Sequence, residues 1–422
     1  MPSLSDKLKS LGVQVGVDKV VQQPPPKPAH ALEQAVSGQF SDTPHGRIFT
    51  VEEHYPSDHV LGHAPILGSA PLTILAEWAK VPHTAAMSPG DFAFLDTEAS
   101  GLSIGAGTFV TWITVGRFEK DVFRVAQFFL HDPVEETAFL AAFEQFLAPC
   151  KAMVTYNGKS FDVPLLNSRF ALNRWPSPLN ELAHIDLVHL ARRLWRARLP
   201  ERRLGTVEAQ ILGLKRSMLD VPGYLVPEIY NEYLHQGRID RLASVFYHNK
   251  YDVLSLAALM YHIAGMLADP MGAVDHDLDL LAVGKLYEDL GDSARAREIY
   301  TECLGRPLET EAWLEAVKRL SFVFKREDNW DAARKLWKVA AEKGEVYAYV
   351  ELAKVCEHQE KDYAGALQWT GTALDRINAP GFPLLERFQW KPELDKRRGR
   401  LVEKVNKVDK VDRVNTVHTV DK

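Results

Sequence analysis

The sequence FAFLDTEASGL, residues 92–102, is an apolar run that ends in two acids and a glycine. Its apolar beginning predicts a buried strand. Because successive strand residues face opposite sides, the side chains of Asp96 and Glu98 point the same way, and Gly101 then lets the chain turn away. Two convergent carboxylates suit a hard divalent cation, although acids beyond a strand also serve as solvated turn residues. The segment by itself therefore predicts either a metal site or a turn.

The residues around this segment predict a mixed α/β domain over residues 91–268. Three consecutive strand-like runs come first, followed by a helix, a further strand and more helices. The predicted strands after the first lie at 108–116, 122–130 and 153–156, and the predicted helices at 135–147 and 163–172. This order is typical of a mixed sheet flanked by helices, with the acids at strand and helix ends.

Two further acids lie in short motifs downstream. Asp162 ends the segment YNGKSFD, residues 156–162, at the start of an apolar helix, where an aspartate can also be a simple N-cap. Asp252 follows YHNKY inside an apolar helical stretch. A buried aspartate is costly there without a partner, and a metal ion would supply one. Asn157 either holds a phosphate or the attacking water, or serves the turn before the helix.

Taken together, the three motifs resemble those of the DEDD exonuclease superfamily. Within it, the chain is similar to the YprB-type RNase H-like family, in which such a domain is joined to tetratricopeptide-like repeats. The resemblance covers about residues 90–265 and implies an RNase H-like sheet with a two-metal phosphodiesterase site. It implies that Asp96 contacts both ions. Glu98 and Asp252 are then expected to hold one ion, and Asp162 to help hold the other.

The resemblance further implies a 3′→5′ exonuclease that acts on the ends of single-stranded DNA or RNA. Two cations can activate a water and stabilise the leaving oxygen, and four carboxylates neutralise most of their charge. Because all the expected ligands are oxygen atoms, we expect two ions of Mg²⁺ or Mn²⁺.

The position of the general base departs from the family's pattern. Related enzymes carry Tyr four residues before the last acid, or His five residues before it, whereas here His248 lies four before Asp252 and Tyr247 five before. In a helix, a spacing of four returns to the same face to within about 40°. A neutral imidazole is also the better base near neutral pH. We therefore expect His248 to act on the attacking water, with Tyr247 as the alternative base. Otherwise His248 is a surface residue and Tyr247 a packed aromatic.

A basic segment, residues 191–216, holds eight basic residues against two acids in a chain of net charge −6. Arg192, Arg193 and Arg196 are therefore candidate contacts to a phosphate backbone, and Trp195 is a candidate for base stacking. The alternative is a solvated helix face without a binding role.

Five segments are predicted along the chain. Residues 1–45 contain QQPPPKP and predict a flexible Pro-rich leader, and residues 46–90 predict an extension that packs on the nuclease domain, residues 91–268. Small and aromatic residues recur with a period of 37 within residues 276–378, a pattern that resembles tetratricopeptide repeats. Residues 379–422 place a valine at every third position and predict a low-complexity tail in which a helix is marginal.

Composition excludes several classes of protein. The chain has 422 residues, of which 46% are hydrophobic and 25% charged, and none of its apolar runs approaches the roughly 20 residues that span a bilayer. We therefore expect a cytoplasmic protein without a membrane partner. Cys150, Cys303 and Cys356 lie too far apart in sequence to predict a zinc site or a disulfide framework.

Two functions follow from these patterns. The first is the exonuclease, with the helical repeats binding a protein partner or the nucleic acid. The second is an adaptor in which the repeats bind a partner and the RNase H-like fold only holds nucleic acid. The complete set of four acids favours the enzyme, because a protein without activity would be free to lose at least one of them.

Overall fold

The computed structural model describes residues 29–101 and 107–420. These residues form two compact units. The sheet unit comprises the described residues up to Arg192 together with Glu201–Ala268. The helical unit comprises Arg193–Pro200 together with the residues from Asp269 onward.

The sheet unit contains nine strands among its described residues. They are β1 (Gln39–Thr43), β2 (Gly46–Pro56), β3 (Val60–Leu61), β4 (Ala64–Pro65), β5 (Phe92–Ala99), β6 (Val110–Glu119), β7 (Val122–Phe129), β8 (Ala152–Thr155) and β9 (Ala183–Asp186). The accompanying helices are α1 (Ala29–Ala35), α2 (Thr73–Trp78), α3 (Glu136–Leu147), α4 (Asp162–Leu172), α5 (Leu187–Trp195), α6 (Leu204–Val207), α7 (Val226–Gln236) and α8 (Leu242–Ala268). The last three residues of α5, 193–195, belong to the helical unit. A π-helical turn, Glu208–Leu212, follows α6, and 3₁₀ turns lie at Pro82–Ala86, Pro89–Asp91, Pro133–Glu135, Pro178–Glu181 and Gly223–Leu225.

Seven of these strands form one mixed sheet in the order β1-β2-β7-β6-β5-β8-β9. In this order, the neighbouring strands β1-β2-β7-β6-β5 pair antiparallel. The pairs β5-β8 and β8-β9 are parallel. Because parallel neighbours end at the same edge, the residues that follow β5, β8 and β9 are brought together there. The predicted mixed α/β sheet flanked by helices is confirmed.

Side chains alternate between the two faces of the sheet, and each face is covered by helices. On one face, Leu95 and Ile113 belong to a buried apolar cluster with residues of α3 and α4. On the other face, Trp112 and Phe129 belong to a cluster with residues of α7 and α8, and their ring centroids lie 4.3 Å apart. The sheet is therefore a central layer between two helical layers.

The N-terminal boundary differs from the prediction. The expected flexible leader, residues 1–45, falls partly outside the described residues, which begin at 29. Residues 29–45 contain α1 and β1, and β1 pairs along its whole length with β2. Leu32 is buried, and the ring of Phe40 contacts that of Phe49 edge-on at 5.0 Å. Apolar contacts and strand pairing thus order a segment that composition alone suggested was flexible.

Helix α8 is the long core helix of the sheet unit. Over the described residues it is the one helix whose length and mean hydropathy would suffice to cross a membrane. Most of it is buried inside the protein, and it packs against β5, β6 and β7. Its apolar character is therefore explained by its position against the sheet.

The helical unit contains helices from Pro270 to Val420. They are α9 (Pro270–Ala273), α10 (Asp277–Asp289), α11 (Ser293–Gly305), α12 (Thr310–Arg326), α13 (Trp330–Glu342), α14 (Val346–Lys354), α15 (Tyr363–Asn378) and α16 (Leu384–Val420), with a π-helical turn at Val355–Glu360. The predicted repeat positions meet in equivalent ways. A Cβ atom on Gly284 would come within 2.7 Å of the Tyr300 ring. One period later, Ser321 Oγ accepts a hydrogen bond of 2.9 Å from Trp337 Nε1.

The predicted low-complexity tail, residues 379–422, is largely one helix, α16. Its anchor precedes most of the valine repeat: Leu394 and Leu401 are buried, seven residues apart on one face. Arg397, Arg400 and Lys404 all donate to the buried carboxylate of Glu357. A valine at every third position does not match the period of a helix, so it did not predict α16. The residues that hold α16 in place are leucine, arginine and lysine at helical spacing.

Gly116 in β6 allows α8 to approach the sheet. A Cβ atom there would lie 2.3 Å from Phe123 Cζ and 2.8 Å from Val253 Cγ1. Both contacts are much shorter than packed side chains tolerate, and Val253 is the neighbour of Asp252 in α8. We expect Gly116→Ala to lower the free energy of unfolding by roughly 1–3 kcal/mol, because the core must shift to admit the methyl group.

Urea denaturation of the full chain measures this effect. Gly205→Ala is the matched control, because no atom lies within 4 Å of the added Cβ. The control should change stability little, and equal stability of the two variants would contradict the role given to Gly116.

Candidate active site

Four acids from separated parts of the sequence meet at the edge of the sheet where β5, β8 and β9 end. Asp96 and Glu98 lie on β5, Asp162 is the first residue of α4, and Asp252 lies in α8. His248 Nε2 lies 3.7 Å from Glu98 Oε1 and 3.4 Å from Asp252 Oδ2. The structure therefore brings together all four acids that the sequence singled out.

Their proximity has an electrostatic signature. Loss of hydration, followed by the charges of Asp252, Asp162 and Glu98, raises the pKa of Asp96 well above its usual range. Loss of hydration, followed by the charges of Asp252 and Asp162, does the same to the pKa of Glu98. Like charges held this close favour protonation or the entry of a cation. The cluster therefore attracts positive charge.

Asp162 is tied to β5 by a hydrogen bond. Thr97 Oγ1 donates to Asp162 Oδ1, and the Asp162 side chain is almost fully buried. Burial raises the pKa of Asp162 to about 6, although the Thr97 hydrogen bond opposes the rise. Asp162 is already inside α4, and the residue at its N-cap is Phe161. Asp162 is therefore not the N-cap residue of α4, and that alternative is wrong.

His248 faces the acids from one turn of α8 before Asp252. Its Nδ1 lies 2.8 Å from Asp220 Oδ1. Arg216 Nη1 lies 3.1 Å from the same nitrogen. These two contacts at Nδ1 hold the ring so that Nε2 faces Glu98 and Asp252. The spacing of four residues in one helix accounts for the placement of His248 beside Asp252.

Tyr247 points elsewhere. Its hydroxyl oxygen accepts a hydrogen bond of 3.0 Å from the backbone N–H of Ser217, and its ring lies 4.5 Å from that of Tyr251. Tyr247 therefore fastens the loop of residues 214–222, called here the Arg216 loop, to α8.

Arg216 is the main feature of the site that sequence reasoning missed. It was counted with the basic segment, yet its side chain is only 11% exposed and pairs with Asp252. Two of its nitrogens, Nε and Nη2, donate to Glu208 at 2.9 and 2.6 Å. Burial lowers the pKa of Arg216, but the charges of Asp252 and Glu208 outweigh this effect and raise the pKa above its usual value. Arg216 and Asp252 lie 36 positions apart, so no local sequence pattern could reveal the pair.

Asn157 occupies the turn that leads to α4. It has a left-handed backbone, with φ of 70°, and its N–H donates to Asp186 Oδ1 at 2.7 Å. Asp186 also accepts from the N–H groups of Lys159 at 3.0 Å and Val188 at 3.2 Å. These contacts support the turn interpretation of Asn157. Asp186 thus fixes the turn and caps the start of α5.

The basic segment is less uniform than its sequence. Arg192 and Arg196 are exposed, whereas Arg193 forms an ion pair of 2.6 Å with Asp289. Trp195 is fully buried, so the expectation that it stacks on a nucleobase is wrong. Its burial follows the helical spacing of α5, in which Val188, Ala191 and Trp195 lie on one face and are all buried.

The donor chemistry of the cluster fits divalent cations, because its four acids offer only oxygen ligands. Across residues 29–101 and 107–420, however, no group of three or more His, Cys, Asp or Glu side chains is arranged to hold an ion without adjustment. Two of the carboxylates have protein partners in the structure: Arg216 pairs with Asp252, and Thr97 donates to Asp162.

The repulsion within the cluster leads to a stability prediction for the metal-free chain. Asp96→Asn keeps the shape of the side chain and removes one of the mutually repelling charges. We expect the variant to match or exceed the wild type in free energy of unfolding, by an amount on the order of 1 kcal/mol.

Chemical denaturation in EDTA tests this expectation. Glu119→Gln is the control, because Glu119 forms ion pairs with Arg117 and Arg124 and its neutralisation should slightly lower stability. A clear loss of stability in Asp96→Asn would show that the Asp96 charge is satisfied within the protein.

Comparison with known proteins places this site within a family. A family model described as the RNase_H superfamily matches residues 93–264, the stretch that contains all four acids. The uncharacterized protein YprB of Bacillus subtilis (strain 168) is 31% identical over 327 residues, which cover 75% of this chain and 78% of YprB. Among solved structures, the family B DNA polymerase from the hyperthermophilic archaeon Pyrobaculum calidifontis aligns with 57% of this chain at 16% identity and a TM-score of 0.31. The alignment covers only 34% of the polymerase, and so slight a likeness supports no conclusion. By its identity to YprB and the extent of the match, the chain belongs to the YprB family, and it contains an RNase H superfamily domain.

Proposed function

We propose that this protein is a metal-dependent 3′→5′ exonuclease that hydrolyses phosphodiester bonds in single-stranded DNA or RNA. An RNase H superfamily domain supports a nuclease-type or nucleic-acid-related function. The observation that carries the finer proposal is the convergence of Asp96, Glu98, Asp162 and Asp252 at one edge of the sheet. A structural role for these acids would not require their charges to be gathered against electrostatic repulsion.

The side chains have separate roles in this proposal. Asp96, Glu98, Asp162 and Asp252 would hold two ions of Mg²⁺ or Mn²⁺. Bound in pairs, such cations activate a water and stabilise the leaving oxygen of an in-line displacement. Asp96 and Glu98 are only partly buried, which leaves the cluster open to an ion and a phosphate from solvent.

His248 would orient and deprotonate the attacking water. Its Nε2 is the nitrogen that faces Glu98 and Asp252, and its Nδ1 is held by Asp220. The contacts of Nδ1 with Asp220 and Arg216 fix the ring orientation and leave Nε2 as the nitrogen offered to the attacking water. This division of the two ring nitrogens is what a general base requires.

The contacts with nucleic acid are proposed at the exposed arginines of the basic segment. Arg192 and Arg196 are exposed, and both are candidates for phosphate binding. Arg193 is a weaker candidate because Asp289 already neutralises it. The tetratricopeptide-like pattern of the helical unit further supports a protein partner for that unit.

A cleavage assay tests the proposed activity. Linear single-stranded DNA and RNA labelled at the 5′ end are incubated with the full chain in Mg²⁺, Mn²⁺ or EDTA. We expect a ladder shortened from the 3′ end with either metal, no cleavage in EDTA, and resistance of circular DNA. Asp96→Asn and Asp252→Asn should abolish cleavage while the fold persists.

The outcomes separate the two functions considered. Cleavage of circular substrate would indicate an endonuclease. Binding without cleavage under every metal condition would contradict the enzyme and favour the adaptor.

A second prediction concerns the base. His248→Ala should slow single-turnover cleavage by about 100- to 10,000-fold with metal binding retained, because general-base assistance is lost. Tyr247→Phe is the matched control on the adjacent residue, and it removes only the hydroxyl that accepts from Ser217. A severe defect in Tyr247→Phe beside near-normal His248→Ala would reverse the assignment.

A further inference from the structure

Arg216 is a buried cation that lies among carboxylates of the proposed metal site. The helical segment before it ends at Gly213, whose left-handed backbone has φ of 68° and redirects the chain. The Arg216 loop then passes alongside α8, where Ser217 is fastened to the Tyr247 hydroxyl. The path of the loop places the largely buried guanidinium of Arg216 against Asp252. The arginine is therefore built into the site.

The pairing of Arg216 conflicts with metal binding at the same carboxylate. Its Nη2 donates to Asp252 Oδ1, and Asp252 Oδ2 faces His248 Nε2 at 3.4 Å. A divalent cation held by Glu98 and Asp252 would lie close to the guanidinium, and two positive charges so near one another repel. The guanidinium and the metal ion are therefore alternatives at Asp252.

Arg216 also has a second partner that remains when it leaves Asp252. Glu208 is fully buried and accepts two hydrogen bonds from the guanidinium, at 2.6 and 2.9 Å. Asp220 Oδ1 lies 3.5 Å from Arg216 Nη1 on another side. Breaking a buried ion pair is most costly when it leaves a charge without any partner, and Arg216 would keep Glu208 throughout. Exchange at Asp252 therefore carries little penalty for the arginine.

We propose that Arg216 is the counter-cation of the metal-free site, and that it competes with the divalent cation for Asp252. In this account Arg216 keeps the acids together before metal binds, and it raises the metal concentration that the site needs. The proposal rests on the proposed function in one respect, namely that the four acids bind a divalent cation.

Titration calorimetry of the full chain with Mn²⁺, in the absence of nucleic acid, tests the competition. Arg216→Gln retains hydrogen-bonding groups and loses the charge. We expect it to bind Mn²⁺ at least tenfold more tightly than the wild type. In EDTA it should unfold at a lower temperature, because Glu208 and Asp252 lose their partner. Its gain in melting temperature on adding Mn²⁺ should therefore exceed that of the wild type.

Arg169→Gln is the matched control, because Arg169 is also buried and donates twice to one glutamate, Glu136, at 2.5 and 2.7 Å. The control should lose stability and keep wild-type Mn²⁺ affinity. Should Arg216→Gln fail to fold without metal, Arg216→Lys decides the question. A single ammonium cannot hold Glu208 and Asp252 at once as the planar fork does, so its Mn²⁺ affinity should still exceed the wild type.

The results separate failure of this proposal from failure of the proposed function. Equal or weaker Mn²⁺ binding by Arg216→Gln, with wild-type binding that Asp96→Asn abolishes, would refute the competition and leave the metal-dependent function in place. The absence of Mn²⁺ binding in both the wild type and Arg216→Gln would overturn both.

Discussion

Repulsion between carboxylates held at one edge of the sheet is the constraint on which the rest of the site depends. The pKa of Asp96 is raised first by loss of hydration and then by the nearby charges of Asp252, Asp162 and Glu98. Such a group of charges is stabilised by protonation or by positive charge among it. The metal-free chain supplies Arg216, and the proposed enzyme would recruit divalent cations. The fold therefore holds carboxylates together against electrostatic repulsion, and cations relieve that repulsion. A purely structural core would avoid such an arrangement.

The sheet unit meets this constraint with ordinary packing devices. The parallel pairing of β5, β8 and β9 gathers the residues after these strands at one edge. Gly116 lets α8 lie close to the sheet at Val253, and Asp186 fixes the turn before α4 through backbone N–H groups. None of these residues bears the proposed chemistry. Each of them constrains the position of the backbone that carries one of the four acids.

Much of this arrangement could be predicted from the sequence, because its causes are local. The alternation of a strand aligns Asp96 with Glu98, and a spacing of four in a helix aligns His248 with Asp252. What could not be predicted depends on contacts between distant positions. Arg216 looked like a surface cation because its partners, Asp252 above all, are remote in sequence. Likewise, the helix at the end of the chain depends on a buried glutamate, Glu357, that lies well before it.

Diffraction from crystals of the full chain soaked in Mn²⁺, with an anomalous difference map, examines the central claim directly. The account predicts anomalous peaks among the carboxylates of Asp96, Glu98, Asp162 and Asp252, with the Arg216 guanidinium withdrawn from Asp252. The same crystals in EDTA should show the guanidinium returned to that carboxylate. A map without anomalous density at these acids under saturating Mn²⁺, with the Arg216–Asp252 pair intact, would contradict it.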